Sequence, residues 1–244
     1  MKFLKNHPFA VEAFFENSTV LTFAVPKEEL ADMIPPCLEL DTFQGKWAFI
    51  AVAMVQTKHL RPAALPEFLG NNFFLIGYRI FVRFTTQANK RLRGLYILKS
   101  ETNKKKMEFL GNVFTHYKYS TTDIRISVNE NEKRISSLSS KFDIGLAINE
   151  EVVDLPATSP FSDWKEARRF AGPLPHTFTF LEEKKSVLVI LGKRQNWKPK
   201  AIRVKHYEME FLENLNLKGI RLANAFEITN IPYRWEKGRI EKWK

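Results

Sequence analysis

From Phe73 to Phe84 the chain reads FFLIGYRIFVRF, and its residues sort by parity. Phe74, Ile76, Tyr78, Ile80, Val82 and Phe84 form an unbroken apolar ladder on one side of a strand, which predicts a core face. Phe73, Leu75, Gly77, Arg79, Phe81 and Arg83 take the other side, apolar but carrying two arginines. This strand, read as 73–86, is joined across the polar, basic TQANKRLR to a second over 93–101.

The same reading extends along the chain. Residues 9–16 are apolar and aromatic, and 19–25 has β-branched strand character. Pro26 opens a short predicted helix over 27–34, with Glu28 and Glu29 at its positive end and Pro35-Pro36 as its stop. Gly45 marks a turn between the short strand at LELD and a long apolar one starting at Trp47. RPAALPEFLG (61–70) holds two prolines and a glycine and reads as a loop long enough to cover something. A helix is predicted over 104–114, with Met107, Leu110 and Phe114 on one side. Next comes a hairpin of 117–128 with 134–148 around NENE. A helix over 161–170 is broken by GPLP, strands follow at 176–182, 185–192 and 200–212, and a basic tail closes with RWEKGRIEKWK.

That is at least nine strand candidates and about three short helices, with no repeat or linker between them. The expectation is mainly β (α+β): one domain over 1–244, mostly antiparallel, with a closed or strongly curved sheet and a few short peripheral helices.

Composition narrows the function classes. The 44% hydrophobic and 27% charged content is that of a soluble globular chain, and no apolar run approaches the roughly 20 residues of a membrane-spanning helix. The first residues lack a sustained apolar region, so no signal peptide is read. The single cysteine, Cys37, allows no internal disulfide and suits a reducing cytoplasm. Twenty-one phenylalanines favour β-structure or an aromatic-lined cavity. The net charge of +11 is spread along the chain without a recognition motif, so nucleic acid is not an expected partner. The tail, with Arg234, Lys237, Arg239, Lys242, Lys244 and stacking surfaces at Trp235 and Trp243, is the weakest reading kept. Oligomeric state is left open, a homo-oligomer included.

His7, His59, His116, His176 and His206 show no metal-ligand spacing, so no metal is assigned. P-loop, G-x-S-x-G and G-x-G-x-x-G motifs are absent. Three groups remain. Lys118 lies in an aromatic segment with Phe114, His116, Tyr117 and Tyr119, where enclosure would favour a neutral, nucleophilic amine; a solvent-facing lysine is the competing reading. Arg79, on the apolar face with Leu75 and Phe81, is a candidate carboxylate fork; an arginine paired with a structural carboxylate competes. Asp41 reads as a turn-stabilising side chain.

FAVPKEELADMIPPCLELDTFQGKWAFIAV resembles the entry helix and first hairpin of acetoacetate decarboxylase-like proteins. LELDTFQG, RPAALPEFLG and GYRIFV, with RRFAGPLP and RQNWKP later, resemble most closely an uncharacterised bacterial branch of that superfamily, a domain of unknown function. The resemblance spans most of 15–205 and implies a double-layered, cone-like β-barrel with a central cavity. In the decarboxylase itself a lysine of a Phe-Pro-Lys-Lys motif forms a Schiff base with a β-keto acid, and an arginine and a glutamate furnish the cavity. On this chain the arginine falls near Glu16, the glutamate at Leu75, and the motif at Thr115-His116-Tyr117-Lys118. Tyr117 thus takes the nucleophile's position, unless a one-residue slip gives it to Lys118. The implied protein binds a small carboxylate- or keto-bearing molecule without authentic acetoacetate decarboxylase activity and without a cofactor. Arg79, Leu75, Phe81 and Phe114 would hold the ligand, and Tyr117, Lys118 and His116 would meet its reactive end. A Schiff-base lyase on Lys118 and a non-catalytic scaffold are the alternatives, separated from ligand binding by whether the interior is open.

Overall fold

The computed structural model describes residues 4–150, 152–195 and 198–243. Strand β1 (Val11–Pro26) leads into α1 (Lys27–Leu30), which continues as a 3-10 turn at Ala31–Met33. Ile34 is extended ahead of Pro35, so the helix expected to run through 34 ends early: a residue before proline is kept out of the helical region. Then come β2 (Glu39–Leu40), β3 (Trp47–Pro62), β4 (Asn71–Thr85), β5 (Arg91–Thr102), α2 (Lys105–Phe114) and β6 (Tyr119–Thr121). A run of hairpins gives β7 (Arg125–Val128), β8 (Glu132–Ser137) and β9 (Phe142–Ala147). The later chain holds α3 (Trp164–Ala171), β10 (His176–Leu181), β11 (Ser186–Arg194), β12 (Lys200–Ala201), β13 (Val204–Met209), α4 (Glu210–Glu213), β14 (Arg221–Trp235) and β15 (Arg239–Lys242).

The large sheet runs β12-β14-β1-β3-β4-β5-β10-β11-β15, and a further pairing of β11 with β14 joins its two sides into a ring. Its pairings are antiparallel except where β5 meets β10 and β6. The second sheet, β13-β9-β8-β7, lies over the outer face of the ring. Between the two layers sits the main core. Leu21, Phe23, Ile50, Met54, Ile76, Tyr78 and Ile80 from the ring pack with Ile135, Phe142, Ile144 and Leu146 of the small sheet. The even-numbered face of β4 is therefore the core face, and its odd-numbered face turns inward. The mainly β class with short peripheral helices is as the pattern implies.

Three expectations are corrected. The run 134–148 is two strands, folded at 138–141 where Lys141 adopts a left-handed backbone (φ 43). The stretch 200–212 breaks into β12, β13 and α4, divided between the two sheets. Most important, the approach to the basic tail is β14, a principal strand paired with β1 from Val11↔Trp235 to Ala24↔Arg221. Its polar Asn224, Glu227, Thr229 and Asn230, with Pro232, interrupt any alternation.

Asp41 is also corrected. Its carboxylate is fully buried and clasped by Arg83 (2.5 Å) and Arg93 (2.5 Å), while Arg93 also donates to the Phe170 carbonyl at 2.8 Å. It ties β4 and β5 to the segment ahead of them and to the end of α3. Arg83 is thereby the structurally paired arginine of the two on its strand.

Candidate functional site

Inside the ring is a cavity of about 350 Å3, walled by β1, β3, β4, β5 and β14 and covered by the segment before β1 and by α2. A β-bulge where β4 meets β5, between Tyr78 and Arg79, changes which residues face it. Leu95 and Ile97 line the cavity on one side of the bulge and Ser100 on the other. Glu101 therefore points outward, into the inter-sheet core. There it contacts Lys99 (2.8 Å) and Ser140 (2.7 Å), and with burial its charge pushes the Tyr78 phenol upward. A buried glutamate on a central strand exists, but it does not serve the cavity.

Arg79 does. Its guanidinium lies wholly inside the protein, and the surface it keeps faces the cavity. It folds back over Gly77, where an added Cβ would come within 3.0 Å of Nε and of one terminal nitrogen. Among the described residues no carboxylate stands within 4 Å of it, and its buried Nε has no hydrogen-bond partner. Burial pushes its pKa down, and Tyr233, Tyr119 and Tyr117 lie near enough to act on it electrostatically. An arginine does not shed its proton in a protein, so the cavity contains an uncompensated cation.

The tyrosines arrive by a local device. After α2, the Thr115 hydroxyl donates to the Gly111 carbonyl (2.7 Å) and accepts from the Tyr117 amide (3.2 Å). The Asn112 side chain accepts from the Tyr119 amide (2.9 Å) and donates to its carbonyl (2.8 Å). Between these anchors Lys118 takes a left-handed backbone (φ 53), so Tyr117 and Tyr119 turn inward together and Lys118 turns out. Gly111 allows this, since a Cβ there would lie 2.3 Å from the Tyr119 ring. Burial raises both phenol pKa values, Tyr119 to about 12, so both are neutral donors at pH 7. The Tyr117 hydroxyl is buried beside the Thr177 side chain, which acts against the upward push of burial.

Of the residues singled out in the sequence, Arg79, Leu75, Phe81, Phe114 and Tyr117 are brought together on the cavity wall. Lys118 is exposed and outside the lining. His116 is also outside, within 3.1 Å of Asn6, its pKa lowered by burial and by Lys5. Sequence reasoning passed over Tyr119 and Thr177, over Tyr233 on the unrecognised β14, and over His7, examined only for metal spacing. The lone signal was the aromatic run around Lys118, which named Tyr119 as a neighbour. Among the described residues no cluster of His, Cys, Asp or Glu could hold a metal, and no helix is long and apolar enough to cross a membrane.

The tail is folded. Trp235 lines the cavity, and Trp243 packs edge-on against Phe180. Arg234 pairs with Glu12 and Glu236, and Arg239 with Glu241; Lys244 lies outside the described residues, as do two residues of RQNWKP, Asn196 and Trp197. Positive charge gathers instead around a more open hollow bordered by Lys90, Arg91, Arg93, Arg168 and Arg169.

A model of the DUF2071 family, an uncharacterized conserved protein, matches residues 13–226. No curated protein matches the chain. Among solved structures, an acetoacetate decarboxylase from Legionella pneumophila aligns with a TM-score of 0.63 at 8% identity, covering 96% of this chain and 87% of that one. An acetoacetate decarboxylase-like enzyme from Sphingomonas wittichii aligns at 0.56 and 11% identity, covering 98% and 94%. The enduracididine biosynthesis enzyme MppR complexed with pyruvate aligns at 0.57 and 9% identity, covering 96% and 90%. At such identities the likeness establishes the acetoacetate decarboxylase-like fold and nothing finer.

Proposed function

We propose, for a chain that belongs to the DUF2071 family and has an acetoacetate decarboxylase-like fold, that the cavity binds a small organic carboxylate with an apolar body. The observation that carries this reading is the unpartnered guanidinium of Arg79. A buried charge without a counter-charge costs several kcal/mol, and a ligand carboxylate is the group whose two oxygens match the guanidinium fork. Tyr117 and Tyr119 add neutral donors, and neither they nor Arg79 offers an acceptor strong enough to favour an ammonium. Phe9, Phe73, Leu75, Phe81 and Phe114 supply the apolar wall. The size lies within the range of small-molecule sites, and a structural neighbour in complex with pyruvate accords with the ligand class.

The reading is one of binding; no reaction is assigned. A Schiff base would need an amine in the cavity, and Lys118 is directed away from it. A cytoplasmic setting accords with Cys37, a buried free thiol whose pKa burial raises to about 11. The test is thermal unfolding with benzoate, phenylpyruvate and 4-methyl-2-oxopentanoate, each beside its neutral amide. The carboxylates should raise the midpoint and the amides should not. Equal shifts from acid and amide, or none from any acid at millimolar concentration, would end the proposal.

A further inference from the structure

The cavity's cover adjoins a third piece of chain, the loop 61–70. The His7 amide donates to the Phe114 carbonyl at the end of α2 (3.2 Å), and the Ala63 amide of the loop donates to the Ala10 carbonyl (2.8 Å). At the other end of α2 the Asn103 side chain accepts from the Phe74 amide (2.8 Å), near the start of the strand that leaves the loop. The segment 4–10, the loop and α2 therefore present one continuous face.

That face is apolar on its outside as well. Of eleven exposed large hydrophobic side chains among the described residues, five stand on it: Leu4, Leu65, Phe68, Leu69 and Phe109. Phe68 is 82% exposed and Phe109 68%, and none of the five lines the cavity. The division is plainest in α2, where Met107, Leu110, Gly111 and Phe114 turn to the cavity. Lys105, Lys106 and Phe109 share the exposed side at helical spacing.

The same face is basic. Lys5, Lys104, Lys105, Lys106 and Lys118 are exposed, and none has an ion pair among the described residues. Its carboxylates are engaged elsewhere: Glu108 accepts from the Thr121 hydroxyl, and Glu67 lies 3.5 Å from His59. Apolar side chains projecting among uncompensated lysines match an anionic bilayer, whose headgroups meet the ammonium groups while the apolar tips enter the boundary with the acyl chains. The side chains project from three segments, and a bilayer deforms around such projections, whereas a folded partner needs a complementary shape.

We propose that this face docks on an anionic bilayer surface, with Phe68 and Phe109 as the inserted side chains and the five lysines as the electrostatic contact. The chain lies on the membrane without crossing it. Docking sets the cavity's cover against a phase in which apolar carboxylates concentrate; that consequence rests on the carboxylate reading above, and docking itself does not.

The experiment is co-sedimentation of the full chain, with no ligand added, on vesicles of phosphatidylcholine alone or with about 30% phosphatidylserine. The anionic vesicles should bind at least about tenfold more tightly, and salt should weaken the binding. Phe68→Ser with Phe109→Ser leaves the net charge unchanged and should weaken binding about tenfold, while tryptophan at both positions should preserve it. Lys105→Glu with Lys106→Glu should abolish binding. The same change in net charge made at the hollow, Lys90→Glu with Arg169→Glu, should cost far less. All these side chains are exposed, so unchanged melting midpoints verify folding. Equal losses from the two charge reversals, or no loss from the serine pair, would reduce the effect to the general attraction of a basic protein and overturn the proposal. Equal affinity for soluble polyglutamate would assign the face to an acidic protein, and self-association abolished by the serine pair would assign it to a second copy; either overturns it. Failure of carboxylates to bind the cavity leaves every one of these outcomes unaffected.

Discussion

Replacing Arg79 by methionine should make the empty protein more stable and the ligand-binding protein less so. The guanidinium is inside the ring with no carboxylate within 4 Å, so the folded state bears a desolvation cost that the unfolded chain does not. Exchanging buried ionic groups for apolar ones of similar volume stabilises proteins by about 1–4 kcal/mol. The neighbouring phenols Tyr117, Tyr119 and Tyr233 reduce the cost here, which puts the gain near the lower half, about 1–2 kcal/mol. For a chain of this length each kcal/mol moves the melting midpoint by roughly 2–4 °C, giving a rise of about 2–8 °C. With benzoate at a hundredfold over its Kd, the native protein gains about 2.7 kcal/mol from mass action. The variant forgoes most of that, because a carboxylate without its cation loses about 2–5 kcal/mol of binding. The two melting curves should therefore exchange order when ligand is added. Differential scanning calorimetry of both proteins, with and without benzoate, reads the crossing directly. A variant that melts lower than the native chain in the absence of ligand would show Arg79 to be a structural residue, and the argument for an anion site would fall with it.

Other outcomes follow from the same geometry. Borohydride trapping with pyruvate or acetoacetate, read by intact mass and peptide mapping, should leave no adduct at Lys118; a stoichiometric adduct there would bring that amine into the chemistry. Asp41→Asn leaves Arg83 and Arg93 without their buried counter-charge. Because both arginines are about one-third exposed, the loss should be about 2–3 kcal/mol by denaturant titration rather than the full cost of a broken buried pair; a loss under 0.5 kcal/mol would return Asp41 to the role of an ordinary turn residue. His7, His116 and His176 are all held below the ordinary 6.5, primarily by burial. The unfolded chain therefore takes up protons below pH 6.5 that the native state refuses, and stability should be level above about pH 7.5 and fall as pH drops from 7 toward 5. Denaturant midpoints across that window would detect the decline, and a rise on acidification would contradict the assigned burial.

The chain shows some of these features openly and hides others, for physical reasons. The parity of 73–84 separates core face from cavity face because a half-buried strand must alternate, and Arg79 is conspicuous because a lone cation interrupts an apolar series. For the lysine hypothesis the hidden quantity is orientation: Lys118 is exposed and outside the cavity lining. Whether residue 117 or 118 faces inward depends on a left-handed kink held by the side chains of Asn112 and Thr115, and residue type alone does not announce it. Asp41 looked like a turn residue because its partners are 42 and 52 positions away. Strand β14 escaped notice because it has different neighbours along its length, with β1 on one side and β12 or β11 on the other, so no single period describes it. With β14 went Tyr233.

The pairing of β1 with β14 also sets a schedule for synthesis. Strand β1 finds β3 within a few tens of residues, but its other edge stays open until some 200 more residues have been made. At ribosomal rates of about 5–20 residues per second, that edge, flanked by the aromatic run FAVEAFF, is unpaired for roughly 10–40 s. An open strand edge is a template for other chains. The most vulnerable moment for this protein is thus the interval before β14 is made, when the ring is complete except for the strand that closes it.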